Sequence, residues 1–585
     1  MRRTVKSAPS RRAAVAIALA VAGSQVRSAH AILTSDVGLD LSQVIGANTF
    51  YNAGYTGTDA IIANIEMGYV WDGAGSPTQK VTTYFSDPTV DNSTANPIPD
   101  LFDRHATWVG SLLAGNGGTT QSNGIAYNAT LWSGAIAQYW VSAGTGNYSE
   151  SFDYSMQTFT TAYTDAMISG FAGKTADVIN SSWSGSGGLG GLDQSDLELD
   201  SLIYQSGKVV VLAAGNSGPH ADTVISPATG LNTIVVGGLI GDNSTPVYGS
   251  AINISSRSPS DLYIPTDAAG TDGTYLAGVR SLVDITAPAA NLTLFQYDGA
   301  TGGNTFGGPS DNSITTYTPN SAGTSFSSPI VAAGAALIVD AGKQLFPTDS
   351  HAIDGRVIKA VLLNSASKPV GWNNGQTVDG SGVISTEQSL DYIYGAGILN
   401  LTAGYPQYTA GTTDVTGHSG VAVQSVGWAY GTITHNPSAT ATFDYDITGT
   451  LKSGSAFSVT LTWFADEPDN STALQYGSFD NLYLEVFQDS GGVPTTLIAQ
   501  SDSLYNSTQE LYFTLPATGT YSIRVLEDNY VYNFNGDTTT PYGLAWSATP
   551  VPEPTAIGLL LMTALPLLAR RRRRQGLRLA ISSAC

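Results

Sequence analysis

The sequence predicts an α/β domain, a mostly parallel sheet with helices on both faces, followed by an all-β sandwich or jelly roll. Three observations lead there. From about residue 57, strand-like apolar runs alternate with amphipathic segments, the order expected when strands return in parallel through helices. The first of these runs, IIANIE at residues 61–66, is apolar on both faces, as in a strand covered by helices on each side. After about residue 405 the period changes to two: Phe457, Val459, Leu461 and Trp463 alternate with Ser458, Thr460 and Thr462.

Taken in chain order, ATLWSGAIA follows the first strand as a second one, and TWVGSLLAG before it opens a helix. SMQTFTTAYTDAMISGF carries helical spacing in Met156, Phe159, Tyr163 and Met167. ADVINSS is a strand, LDQSDLELDSLIYQSG a helix stopped by Gly207, KVVVLAAGNSG a buried strand ending in a glycine loop, and NTIVVGG another strand. Between about residues 240 and 320, Gly, Ser, Thr, Asn and Asp dominate, and long surface loops are expected there. SFSSPIVAAGAALIVDAG and DGRVIKAVLLNSASKP restore helical periodicity, and DNLYLEVFQ and TYSIRVLE continue the period-two pattern of the second unit. The expected division is 39–404 for the α/β unit and 405–550 for the sandwich. With 585 residues, two or more cores are expected.

Both ends of the chain read as addressing segments. Residues 1–31 hold Arg2, Arg3, Lys6, Arg11 and Arg12, then AAVAIALAVAG, then AHA at Ala29 to Ala31, the three parts of a secretory signal peptide. Residues 551–574 contain Pro-Glu-Pro, an apolar stretch over 557–569 and the arginines Arg570 to Arg574, with an extension over 575–585. This tail resembles the PEP-CTERM sorting signals of bacterial surface proteins. The resemblance implies transient anchoring in the membrane and removal by a sorting enzyme of the exosortase type. The arginines independently place that end in the cytoplasm and the bulk of the chain outside. The sole cysteine, Cys585, is the last residue, so no intramolecular disulfide is expected. Twelve of the 24 basic residues lie in the two end segments, leaving twelve against 45 acidic residues once Glu553 is also set aside. A body so acidic stays soluble and repels polyanions, which argues against nucleic acid as a partner.

Four positions have the chemistry for catalysis. An acid at the end of a buried strand, Glu66, requires a partner. In SAGTSFSSPIVAAGAALI, Ser325 falls in the first turn of a predicted helix, where unpaired N–H groups and the positive end of the dipole converge. Serine and threonine at helix starts are also common caps, and on this segment alone both roles stand. Of the histidines in the body (His105, His220, His351, His418 and His435), His105 begins a helix of small and apolar residues. Asn216 sits in the glycine loop after KVVVLAA. Asp72 and Asp103 are further acids in the same part of the chain, but neither is at the strand end.

Together these segments resemble the subtilisin-like serine proteases over roughly residues 45–400. GTSFSSP is similar to that family's nucleophile motif, HATWVGSLLAG to its histidine motif, VVLAAGNSG to the strand and loop of its oxyanion asparagine, and IIANIEMG to its acid motif. VINSSWSG resembles the edge strand that borders the substrate. The resemblance implies a three-layer catalytic domain with Glu66 as acid, His105 as base, Ser325 as nucleophile and Asn216 as oxyanion donor. It also implies substrate contacts from Ser182, Trp183, Ser184, Gly185, Ala213, Ala214 and Gly215, with protein or peptide substrates. Three positions depart from the family pattern: Glu66 stands for an aspartate, Ala106 for a glycine and Trp108 for a second histidine. These departures motivate the alternative of an impaired relative that binds peptide or polysaccharide. The clusters DEPDN and GDNS are oxygen-rich enough for calcium and equally suit solvated turns.

Overall fold

The computed structural model describes residues 40–549, apart from 74–75, 77, 79, 87–101, 117–122, 145–146, 186–192, 243–244, 293, 298–313, 318–321, 412–420, 437–438 and 491. The segments expected to be a signal peptide and a sorting tail lie outside the described residues.

An eight-stranded sheet organises the first part of the chain. Its strands are β1 (Ile61–Glu66), β2 (Val81–Phe85), β3 (Thr130–Ala135), β4 (Val178–Ser181), β5 (Val209–Ala213), β6 (Ile234–Asp242), β7 (Thr245–Ala251) and β8 (Ile285–Pro288). The spatial order is β8-β6-β5-β4-β1-β3-β2, with β7 paired to β6. All pairings are parallel except β6 with β7. Every residue of β1 is buried, which explains its unbroken apolar reading. The sequence order doubles back beside β1, so the carboxyl ends of β1, β4 and β5 open on one crevice where a ligand is expected.

Four helices position the parts that follow: α1 (Arg104–Ala114), α2 (Gln194–Ser206), α3 (Thr324–Leu345) and α4 (Gly355–Asn364). Helix α3 is apolar nearly all round because it is a core element, with every residue from Thr324 to Gly342 buried. It is long and apolar enough to cross a membrane, yet 94% of its apolar window is buried inside the protein. Helix α1 lies so close to the loop after β1 that a Cβ at Gly110 would meet a Val70 methyl at 2.8 Å, so a larger residue there would force one of them to shift.

The expectation of long loops over 240–320 is wrong for much of that stretch. Besides β7 and β8 it contains the hairpin Ser260–Pro265 with Gly273–Arg280. Glycine, asparagine and aspartate lower strand propensity, but pairing of these strands with one another and packing of Tyr263 on Tyr275 (4.8 Å) override it.

Downstream, two sheets face each other. One has seven strands, in the order Thr377–Val378, Ile384–Thr386, Val493–Ser501, Ser478–Ser490, Gly519–Asn533, Ala441–Leu451 and Val421–Val423. The other has four: Val426–Thr434, Thr539–Thr549, Ala456–Trp463 and Thr508–Thr514. Their facing side chains, including Phe457, Leu461, Phe479, Leu484 and Ile523, form one apolar core. The four-stranded sheet turns its other face to α4. Thr462, buried among apolar neighbours, donates its hydroxyl to the Arg356 carbonyl at 2.7 Å, and Thr460 bonds the Asn364 amide oxygen at 3.3 Å. The period-two pattern therefore has hydroxyls on a buried face, where each is satisfied by the helix.

Arg356 closes this joint. Its guanidinium bonds Asp354 at 2.9 and 2.8 Å and lies over the rings of Phe464 (4.9 Å) and Tyr430 (5.3 Å). The segment DEPDN, residues 466–470, is also part of the joint. Glu467 accepts from Tyr532 Oη at 2.6 Å and from the Gly477 N–H at 2.5 Å, and the Asn470 N–H donates to Glu198 of α2 at 2.7 Å. No metal-holding group of three or more acidic, histidine or cysteine side chains occurs among the described residues.

The closeness of this contact makes a testable case. A Cβ at Gly543 would stand 2.4 Å from the backbone carbon and oxygen of Arg356, whereas one at Gly380 would meet nothing within 4 Å. Gly543→Ala is expected to force the sheet off α4 and lower the thermal midpoint by several degrees, with faster nicking by an added protease; Gly380→Ala is expected to match the wild type. Equal midpoints for the two variants would show that this contact does not hold the sandwich.

Candidate active site

Glu66, the last residue of β1, is 1% exposed. Its Oε1 accepts the Ser182 N–H at 2.8 Å and its Oε2 stands 3.1 Å from His105 Nδ1. The extra methylene of a glutamate, compared with an aspartate, is thus accommodated by a bond to the strand-end backbone of the neighbouring β4 segment. The arrangement fixes Nδ1 as the protonated nitrogen and leaves Nε2 as the acceptor.

His105 is the second residue of α1. Asp103 caps that helix, its carboxylate accepting the His105 N–H at 3.1 Å and the Ala106 N–H at 2.9 Å. Asp103 is therefore committed to the backbone, whereas Glu66 takes the imidazole ring. Burial pushes the Asp103 carboxyl up to about 7, opposed by His105 and the two N–H bonds.

Ser325 is the second residue of α3, and the helix is capped by Gly323 in extended conformation without a side-chain bond. Capping is consequently not the role of Ser325. Its hydroxyl donates to the Ser182 carbonyl at 3.1 Å. Ser182 thus touches both ends of the constellation, through its N–H to Glu66 and its C=O to Ser325.

Asn216 follows Gly215, whose φ of 101° suits glycine. Its Oδ1 accepts from the Thr324 N–H at 2.9 Å and the Thr324 hydroxyl at 3.2 Å. The exposed amide therefore presents its Nδ2 hydrogens as donors beside the start of α3.

The predicted substrate segments are placed at the same crevice, with mixed side-chain roles. Ser184 is exposed, Gly185 donates to the Ser226 carbonyl at 2.8 Å, and Ala213 and Ala214 are buried at the end of β5. Trp183 turns into the core instead: its indole donates to the Ile65 carbonyl at 3.2 Å and packs against Phe152, Tyr154 and Phe159. Only its backbone is then available to a ligand. Trp108, in place of a histidine, is 7% exposed and meets His105 (6.3 Å) and Phe326 (6.1 Å) with its ring edge-on to each. Its bulk joins α1 to the first turn of α3.

Sequence reasoning missed a buried polar relay beneath these groups. Asn64 Nδ2 donates to the Ala106 carbonyl at 3.3 Å, Asn180 Nδ2 donates to Asn64 Oδ1 at 3.1 Å, and the Ser328 hydroxyl donates to Asn180 Oδ1 at 2.8 Å. It ties β1, β4, α1 and α3 together with fully buried partners, where a lost bond is costly. The available signal was Asn64 itself, a lone amide inside the apolar run IIANIE.

The subtilase family, Peptidase_S8, matches residues 17–397, about two thirds of the chain. The chain belongs to the subtilase family. Serine protease AprX of Bacillus subtilis (strain 168) is 26% identical over 189 residues, 32% of this chain and 36% of that protein. Subtilisin DY of Bacillus licheniformis is 28% identical over 194 residues, 31% of this chain and 62% of that protein. The chain thus matches less than two thirds of the length of either relative.

One pH effect in this subtilase follows from Asp103. Because its folded-state value of about 7 lies above the ordinary 3.8, the folded protein holds a proton that the unfolded chain gives up between these values. Stability from this group is present below about pH 4 and is lost as pH rises through about 7. Asp103→Asn keeps a cap acceptor and removes the titration, so its thermal midpoint is expected to fall less than the wild type's between pH 4 and 8. Parallel midpoint curves across that range would contradict the buried, proton-holding carboxyl.

Proposed function

We propose that the protein is an exported serine endopeptidase that hydrolyses peptide bonds through Glu66, His105 and Ser325, with protein or peptide substrates. The observation that carries this reading is the 3.1 Å contact between Glu66 Oε2 and His105 Nδ1, formed at the crevice where Ser325 starts α3. Membership of the subtilase family supports it.

In the proposed reaction the Ser325 hydroxyl turns from the Ser182 carbonyl to His105 Nε2, gives up its proton and attacks the substrate carbonyl. Glu66 holds the imidazole in the required tautomer and stabilises the imidazolium. The oxyanion is held by the Ser325 N–H, which has no partner among the described residues, and by Asn216 Nδ2. His105 then protonates the leaving amine, and water repeats the sequence to free Ser325 from the acyl-enzyme. No cofactor enters these steps. The proposed organisation places a signal peptide at 1–31, the peptidase unit at 39–404, the sandwich at 405–550 and a sorting tail at 551–574. The tail would hold the protein at the membrane until an exosortase-type enzyme cuts it, giving a cell-surface or extracellular product.

The second reading, an impaired relative that binds peptide or polysaccharide, is favoured by one observation: the Ser325 hydroxyl bonds a main-chain carbonyl. Kinetics on an unstructured protein substrate separate the two. Ser325→Ala is expected to lower kcat by about 10⁶-fold, Glu66→Gln by about 10⁴-fold and Asn216→Ala by about 10²- to 10³-fold, with little change in KM. Hydrolysis by Ser325→Ala at the wild-type rate would exclude the assignment; a wild type as slow as Ser325→Ala would select the second reading.

A further inference from the structure

A cavity of about 700 Å³ lies away from the triad, where the hairpin Thr377–Val378 and Ile384–Thr386 joins the sandwich. Its size falls within the range of small-ligand sites, about 300–1,000 Å³. The walls come from three separate stretches: Val279 from the preceding hairpin, residues 375–392 after α4, and strands and loop of the sandwich over 483–505. The frame is rigid. Ile384–Thr386 pairs in parallel with Ala499–Ser501, and the Asp502 N–H donates to the Thr386 carbonyl at 3.0 Å.

The chemistry of the lining is selective. Tyr392, Tyr483, Tyr505, Glu387, Asp502 and Gln500 converge on the cavity, and no lysine, arginine or histidine lines it among the described residues. A phosphate, sulfate or nucleic-acid ligand would find no counter-charge there. Val279 and Leu504 are the only aliphatic side chains of the lining among the described residues, too little for a lipid or an apolar peptide. Among the described residues, the side chains of Tyr392, Tyr505, Glu387 and Gln500 make no hydrogen bond to the protein. Tyr483 accepts from Asn481 Nδ2 at 2.5 Å, which leaves its own O–H to donate. Glu387 is exposed and Tyr392, Gln500 and Tyr505 are half-buried, so their polar groups face water and are open to a ligand that replaces it. Burial raises the pKa of Tyr392 and Tyr483, and it raises that of Asp502 with Glu387 adding to the effect, so these walls are partly dry.

We propose that this cavity binds a neutral polyhydroxylated ligand, a short stretch of polysaccharide. Tyrosine rings offer flat faces to the C–H faces of sugar rings and an O–H at the edge. Glu387 and Asp502 accept from hydroxyl pairs, and the Gln500 amide both accepts and donates. The site is separate from the crevice at Ser325, and binding there does not depend on peptidase activity. Its effect would be to hold the protein on a glycan matrix.

The test is affinity electrophoresis of the full exported chain through native gels containing dextran, mixed-linkage β-glucan, xylan or galactomannan, with plain gels as reference. Retardation is expected with at least one of these polymers. Tyr505→Ala and Glu387→Gln are expected to weaken the apparent affinity at least tenfold, while thermal midpoint and Ser325-dependent peptide hydrolysis stay at wild-type values. Migration unchanged in all four polymers would overturn the proposal, as would retardation indifferent to both substitutions. Retardation by polylysine alone, abolished by salt, would also overturn it and assign the two carboxylates to a basic peptide.

Discussion

One buried carboxylate constrains the centre of this molecule. Glu66 closes a strand whose residues are all hidden from water, and an ion in that position is tolerated only when both oxygens are engaged. One oxygen takes the N–H of Ser182 and the other faces His105. Meeting that demand sets the end of β4 beside the end of β1 and draws the start of α1 over the crevice. The same Ser182 then offers its carbonyl to Ser325, so that Glu66, the start of α1 and the start of α3 share one strand-end residue.

A second layer keeps these parts in register. The relay of Asn64, Asn180 and Ser328 runs under the site, and Trp108 bridges His105 and Phe326 above it. Small-residue packing of α3 and the close approach at Gly110 leave little freedom for either helix to slide. The sandwich is coupled to this body through α4, through Glu198 of α2, which accepts the Asn470 N–H, and through the segment before β6, where Asn232 and Ala465 exchange hydrogen bonds at 2.8 and 2.7 Å. An acidic chain with no cysteine before its last residue thus builds its rigidity from buried polar pairs and apolar area, without intramolecular disulfides.

Much of the fold and the site was legible in the sequence because its signals were local. A double-faced apolar strand ending on an acid, a histidine opening an apolar helix, and a serine in a Gly-Thr-Ser turn each declare themselves within a dozen residues. The groups that escaped notice act over long separations or through the backbone. The N–H and C=O of Ser182 carry no residue-type signature, and the partnership of Asn64 with Asn180 spans 116 positions. Asp103 could be read as a spare acid until the helix cap showed its oxygens occupied. Strands between 240 and 320 were hidden by weak propensities that sheet pairing overrules, and the side chain of Trp183 went to the core because aromatic neighbours distant in sequence gather there.

Reaction with a fluorophosphonate probe tests whether Glu66 serves as the acid of a working triad. Labelling reports an activated serine without requiring the natural substrate to be known. Stoichiometric labelling of the folded protein is expected, abolished by Ser325→Ala and slowed at least a thousandfold by Glu66→Gln. Labelling that is absent from the native protein and appears on Glu66→Asp would contradict it, and would mean that the glutamate holds the fold together while leaving the serine inert.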